Sequence, residues 1–244
     1  MKVMFQQLIN ELPTSKKEIL DRIDEFVTYK NRPARFFSID LTNLSTAYYN
    51  KEHLERLKNA ELKCIDSSWL PLILHNKQIA HSSLTDIFDI LVLKKDLKQL
   101  VLGGPLKKLR LFSNKFPHID FFELPFVDLN DFNYSEIAAE INQNRYDIIW
   151  VSLGAPKQEL FIDKLYPRIN RGVLCGFGYI LDINSVSRRA PRVIQMFKLE
   201  WLYRFIQSPR KQGKRIRQIL KFLVSYRLNL KKELIIQPNK RNAD

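Results

Sequence analysis

Tyr146-Asp147-Ile148-Ile149-Trp150-Val151-Ser152-Leu153, running on into Gly154-Ala155-Pro156-Lys157-Gln158-Glu159, is the stretch that decides the fold. Its first half is almost continuously apolar. That pattern suits a strand covered on both faces, as in a parallel sheet, whereas a sheet with one wet face alternates apolar and polar residues. Its second half places a flexible residue, a small one and a helix starter in series. A helix is expected to follow as far as Tyr166, with Gln158 and Glu159 in its first turn, close to the end of the strand.

The same strand-then-helix unit recurs on both sides of this stretch. Arg35 to Leu41 reads as a strand, followed by a helix through Tyr48, Leu54 and Leu57. Leu62 to Ile65 and Leu97 to Leu102 read as strands, as do Ile119 to Leu124 and Gly172 to Phe177. Helices are expected around Ile87 to Leu93 and from Asn133 to Asn142. Ahead of them, Thr14 or Ser15 caps a helix carrying Ile19, Ile23 and Phe26 at helical spacing. Alternation of this kind implies an α/β fold built on an open, mainly parallel sheet.

Ligands of such sheets gather beyond the carboxyl ends of the strands. Four sets of residues stand there. Thr42 and Asn43 follow the first strand and can bind a sugar or phosphate, or cap the next helix. Asp66 follows the second and can act as a general base or serve an ordinary turn. Gly103-Gly104 follows the third, where backbone can approach a ligand closely, although the pair is not a G-x-G-x-x-G loop. Gly154, Gln158 and Glu159 follow the fifth. Cys64 and Cys175 sit in apolar runs and read as buried thiols, and four scattered histidines show no metal-ligand spacing.

The net charge of +14 is unevenly placed. Residues 188–244 hold 16 Lys+Arg against 3 Asp+Glu, and the other residues hold 24 against 23. A nearly neutral body with a basic tail points to a polyanionic partner for the tail. Arg210 to Leu234 is expected to form a helix with Ile216, Ile219, Leu220, Leu223, Leu230 and Leu234 on one stripe and lysines and arginines largely off it. A basic amphipathic helix of this kind suits an anionic membrane surface, or packs on its own core. A nucleic-acid role rests on charge alone, and the lack of a recognised motif counts against it. No apolar run approaches the ~18–20 residues that span a bilayer, and the N-terminus is too polar for a signal peptide, so a cytoplasmic protein is expected.

Taken in order, Thr42-Asn43, Asp66, Leu102-Gly103-Gly104, Gly154-Ala155-Pro156-Lys157-Gln158-Glu159, Gly176-Phe177-Gly178 with Asp182, Arg189-Ala190-Pro191 and Leu199-Glu200-Trp201-Leu202-Tyr203-Arg204 resemble the WecG/TagA/CpsF family of bacterial glycosyltransferases. The resemblance covers roughly residues 35–210. It implies a Rossmann-like core, residues 1–187, and a basic helical appendage, residues 188–244, that closes the site and meets the membrane. It implies transfer with inversion of a sugar, often of N-acetylmannosamine type, from a UDP-sugar to a polyprenyl-diphosphate-linked acceptor in cell-surface polysaccharide synthesis. The work is done at the inner face of the cell membrane, and no metal or other cofactor is expected.

Carried across residue by residue, Asp66 matches the general base, with Thr42 beside it. Asn43, Gly103, Gly154, Gln158, Glu159 and Asp182 line the donor pocket. Arg189, Arg204 and Arg210 are the candidates for neutralising the donor diphosphate. The physics agrees: the leaving UDP gains charge, and arginines stay charged and grip phosphate through two hydrogen bonds. The sequence departs from the family at Ser67 and Tyr179, each in place of a glycine, and at Ile183-Asn184-Ser185. These changes point to altered donor or acceptor choice, or to a non-catalytic relative acting as a membrane-associated partner in an assembly complex. Homo-oligomerisation is left open.

Overall fold

The computed structural model describes residues 1–30, 32–74, 76, 78–178, 180–181, 206 and 209–236. Six strands form one sheet: β1 (Pro33–Ile39), β2 (Leu62–Ile65), β3 (Gln99–Leu102), β4 (Ile119–Phe122), β5 (Ile148–Val151) and β6 (Gly172–Gly176). Every pairing is parallel, and the spatial order is β2-β1-β6-β5-β3-β4. The helices between them are α1 (Lys2–Asn10), α2 (Lys16–Thr28), α3 (Leu41–Tyr49), α4 (Lys51–Lys58), α5 (Leu70–Ile73), α6 (Leu84–Leu91), α7 (Leu106–Lys115), α8 (Tyr134–Asn144) and α9 (Lys157–Leu165); α10 (Pro209–Ile236) follows β6. This is the α/β, Rossmann-like, parallel-sheet architecture expected from the strand-and-helix pattern. Among the described residues no helix is long and apolar enough to cross a membrane.

Period-two alternation along each strand sorts side chains to two cores. Phe37, Ile39, Ile149, Val151 and Leu174 face the core covered by α1, α3, α4, α8, α9 and α10. Phe36, Cys64, Trp150, Val173 and Cys175 face the core covered by α2, α6 and α7. This is why the Ile148–Val151 run is apolar throughout: both faces are buried. Burial pushes both cysteine thiols well up, so they stay protonated. The one polar intrusion beside Trp150 is satisfied. Its Nε1 donates to Gln99 Oε1 at 2.9 Å, and Gln99 Nε2 donates to the Leu91 carbonyl at 2.7 Å.

The caps explain where several helices begin. Ser15 Oγ accepts from Glu18 N, and Glu18 reaches back to Thr14, so α2 opens on a reciprocal box. Asp40 caps α3, with Oδ1 accepting from Asn43 N at 2.6 Å. The strand therefore ends two residues earlier than Arg35–Leu41 suggested, and Asp40, not Thr42 or Asn43, is the capping residue. The single helix expected through Leu57 is two, because Asn50 ends α3 and caps α4.

Chain direction makes a crevice. After β1 the chain turns to the first core, through Leu44 and Ala47 of α3. After β6, its neighbour in the sheet, Phe177, Ile180 and Leu181 enter the opposite core. The connections thus leave adjacent strands toward opposite faces, which is the switch point where open α/β sheets bind ligands.

Candidate functional site at the carboxyl edge

Asp66 follows β2 directly, and its backbone N donates to the Ile39 carbonyl at 3.1 Å, which sets it beside the end of β1. Its Oδ1 accepts from Leu84 N at 3.2 Å, at the start of α6. That bond turns the carboxylate by a fixed donor and leaves it half-buried at the edge. Ser67, the next residue, has no left-handed backbone: Arg145 is the single non-glycine with positive φ among the described residues. A serine in place of the family's glycine therefore costs this turn no strain.

Thr42 lies half-buried in the first turn of α3, and its carbonyl accepts from Ser45 Oγ and Thr46 Oγ1, each at 2.9 Å. Asn43 is only 4% exposed. Its Nδ2 donates to the Ser38 carbonyl at 2.8 Å and approaches Glu159 Oε1 at 3.5 Å. Gln158 and Glu159, 4% and 1% exposed, lie under the edge beside it, with Gln158 Nε2 donating to Glu159 Oε1 at 3.1 Å. Asn43, Gln158 and Glu159 are thus brought together, beneath the surface of the edge. Burial pushes the Glu159 carboxyl up against the opposing pull of these hydrogen bonds.

The glycines at the edge do different jobs. Gly103 N donates to the Phe122 carbonyl at 3.0 Å, so this amide is already committed to extending the β3–β4 ladder. Gly154 has φ +77, and a Cβ there would meet nothing within 4 Å among the described residues, so none of them fills the space beside this turn. Gly178 packs against that turn: a Cβ on it would stand 2.5 Å from Gly154 Cα and 2.7 Å from Gln158 Oε1. The Gly176-Phe177-Gly178 pattern is therefore explained by the seat of the Gln158 side chain and the Gly154 turn. Ser152 Oγ donates to the Gly178 carbonyl at 3.5 Å across the same gap.

Asp182, Arg189 and Arg204 lie outside the described residues, as does Tyr179. Arg210 falls in the first turn of α10, and its side chain is likewise outside them. Among the described residues no three His, Cys, Asp or Glu side chains converge as a metal-ligand set.

The appendage helix reaches this edge from the first core. Phe222 and Tyr226 of α10 are buried against Phe5 and Tyr48, with ring centroids 5.2–6.3 Å apart. Gln218 Nε2 donates to Thr46 Oγ1 at 2.8 Å and to Ser45 Oγ at 3.2 Å, and Tyr49 Oη donates to Ser225 Oγ at 3.0 Å. The expected stripe is thereby divided. Leu223 packs against the core, whereas Leu220 is more than half exposed together with Val224 and Leu228, at i, i+4 and i+8. Arg217, Lys221 and Arg227 are exposed around them.

Two of these contributors were not legible as site residues. The one signal for Asp40 is its place between the strand run Phe36 to Ile39 and the apolar Leu41, Leu44 and Ala47, where an Asp caps a helix. Gln218 gave no signal, because its contact with α3 depends on how the tail folds back.

The comparisons with known proteins agree with this geometry. The model of the glycosyl transferase WecG/TagA/CpsF family matches residues 9–234. An N-acetylglucosaminyldiphosphoundecaprenol N-acetyl-beta-D-mannosaminyltransferase of Bacillus spizizenii is 37% identical over 75 residues. That match covers 30% of this chain and 29% of the relative, so it spans under a third of either protein. With a family match running through every strand and on into α10, the chain belongs to the WecG/TagA/CpsF family of glycosyl transferases.

Proposed function

We propose that this glycosyl transferase moves a sugar of N-acetylmannosamine type from a UDP-sugar to a polyprenyl-diphosphate-linked sugar acceptor, with inversion. The observation that carries the reading is the placement of Asp66: a half-buried carboxylate at the carboxyl edge, oriented by Leu84 N, one strand from the β1–β6 crevice. The name of the Bacillus spizizenii relative supports the choice of donor sugar and of acceptor class.

In this mechanism the acceptor hydroxyl oxygen bonds to the anomeric carbon on the face opposite the nucleotide. Asp66 takes the hydroxyl proton as the carbon–oxygen bond to UDP breaks and its electron pair leaves with UDP. The departing diphosphate gains negative charge, and Arg189, Arg204 and Arg210 are proposed to neutralise it without a metal. Thr42 and the open Gly154 turn flank the crevice where donor would lie.

The protein is proposed to act at the inner face of the cell membrane. The outward Leu220, Val224 and Leu228 with their basic neighbours would lie in the headgroup region, where each Lys or Arg near an anionic surface contributes about 1 kcal/mol.

The test is donor-dependent release of UDP in the presence of a polyprenyl-diphosphate sugar. Asp66→Asn should lower kcat by about 10²–10⁴-fold, with the fold intact by circular dichroism. Undiminished turnover in that variant would remove Asp66 as the base. Failure of the wild type to bind any UDP-sugar by calorimetry would instead favour the non-catalytic partner role. For the membrane, Leu220→Glu with Val224→Glu should reduce sedimentation with anionic liposomes, and unchanged sedimentation would refute the outward stripe as the contact.

A further inference from the structure

Glu159 is a buried carboxyl to which the transfer step gives no role. Its Oε1 receives the Gln158 amide at 3.1 Å and the Asn43 amide at 3.5 Å. Asn43 is in turn fixed to the Ser38 carbonyl of β1 and to the Asp40 cap. The Gln158 side chain crosses the end of β6, where Gly176 and Gly178 leave it room; a Cβ on Gly176 would lie 3.2 Å from Gln158 Nε2. Since β6 stands between β1 and β5 in the sheet, one carboxyl ties together the carboxyl ends of three neighbouring strands.

We propose that Glu159 is a positioning residue and not a donor ligand: with a proton on its carboxyl, it holds Asn43 and Gln158 so that the β1, β6 and β5 turns keep the spacing the donor requires. This rests on the transferase reading of the site. The proton follows from the surroundings. Glu159 Oε2 is buried and has no hydrogen-bond partner among the described residues. Among the described residues it meets the Asn43 amide from α3 and, from its own helix, the Gln158 amide and its own backbone amide, while Asp40 acts on it from the end of β1. Lys157 turns away, donating to the Val127 carbonyl at 2.5 Å. Among the described residues Asp40 is thus the charged group that acts on it, and it acts by repulsion. An ionised Glu159 would bury a charge that no cation among the described residues meets. A protonated one keeps both amide bonds and adds no charge.

The sign is set by the direction of the shift. A carboxyl raised above its ordinary 4.5 keeps its proton longer in the folded chain than in the unfolded one. Its contribution to stability is full below that value and is lost as pH rises through the folded titration. Turnover should show the same alkaline loss, because the ionised carboxyl, although its amide bonds strengthen, must draw solvent into the buried edge and so displaces the turns around it.

The experiment compares wild type, Glu159→Gln and Glu159→Ala in transfer assays from acid pH upward across the range in which the fold survives, with thermal unfolding at each pH. Wild-type kcat and Tm should both fall as pH rises through the folded titration of Glu159. Glu159→Gln keeps the shape and the amide acceptor but has no proton to lose, so both alkaline slopes should flatten. Glu159→Ala should lower kcat by roughly 10²-fold through misplaced turns, and Glu159→Gln should recover most of that loss. Glu159→Gln as poor as Glu159→Ala would make the carboxylate itself a ligand and overturn the proposal. So would alkaline slopes in Glu159→Gln equal to wild type. If the wild type transfers no sugar at all, the transferase reading fails by itself, and the Tm slopes still decide whether Glu159 carries the proton.

Discussion

Gly178→Ala is the sharpest single test of how the edge is built. The added methyl would stand 2.5 Å from Gly154 Cα, 2.7 Å from Gly154 N and 2.7 Å from Gln158 Oε1. Two of these are backbone atoms, so the clash cannot be relieved by a side-chain rotation alone. Restoring an ordinary contact near 3.4 Å requires the β5 and β6 turns to separate by about 0.9 Å. Overpacking of this size costs about 1–3 kcal/mol, and here the displacement falls on the turn that faces the open crevice. We therefore expect a stability loss of about 2 kcal/mol accompanied by a clear drop in UDP-sugar affinity. Gly154→Ala is the matched comparison. Its methyl meets nothing within 4 Å among the described residues, so its cost is the left-handed backbone at φ +77, about 1–2 kcal/mol. Urea unfolding gives the stability change, provided the m-value is constant, and calorimetry gives the affinity. A Gly178→Ala protein within about 0.5 kcal/mol of wild type, binding UDP-sugar equally well, would refute the close approach of the two turns.

Other expectations follow from the packing. Phe222→Ala removes a fully buried ring from the Phe5, Tyr48 and Tyr226 cluster and should cost about 3–5 kcal/mol in urea unfolding; a loss under about 1 kcal/mol would mean that α10 is not seated on α3. Arg35→Ala takes from Glu61 the guanidinium that meets it at 3.1 Å, while Asp163 keeps Arg56 at 2.6 Å, and should cost about 1–3 kcal/mol; an effect near zero would refute the Arg35–Glu61 pair as a structural element. His53 is held down at about 4, first by burial and then by the Arg56 charge. Its contribution to stability is full above its ordinary 6.5 and is lost as pH falls toward 4, by up to about 3 kcal/mol. His53→Gln should flatten that acid limb in pH-dependent urea midpoints, and an unchanged limb would assign the loss elsewhere.

The architecture was legible because both-face burial leaves a plain mark. Ile148–Val151 and Gly172–Gly176 are short runs without a polar side chain, and such runs leave little choice but parallel strands between helical layers. What stood at the strand ends was legible only to within a residue or two. Thr42 and Asn43 look like a strand end because Leu41 is apolar, yet Asp40 stops β1 by capping α3. The burial of Asn43, Gln158 and Glu159 could not be read from composition at all. Three polar residues in first helical turns look solvent-facing until the neighbouring helix supplies the amide and the glycines of β6 supply the room. The edge glycines themselves read as ligand-facing, and of these only Gly154 would meet no described residue with an added Cβ.

The appendage helix was the hardest part to read, because one stripe serves two purposes. Six apolar residues at helical spacing predict a single sticky face, and a single face can be spent either on the core or on a membrane. In the fold the two roles separate. Phe222 and Tyr226, with Leu223 beside them, dock α10 on the α1–α3 side of the first core. Leu220, Val224 and Leu228 remain outward among exposed cations. The docked face is also registered by hydrogen bonds, since Gln218 meets Ser45 and Thr46 on the helix whose first turn carries Thr42 and Asn43. A rigid connection therefore runs from the outward stripe through α10 and α3 to the end of β1. In the proposed membrane-bound state that connection would fix the angle at which the carboxyl edge meets the bilayer. An acceptor tethered by its lipid could then present its hydroxyl to Asp66 without a search over orientations, which is the entropic gain such an anchor offers over affinity alone.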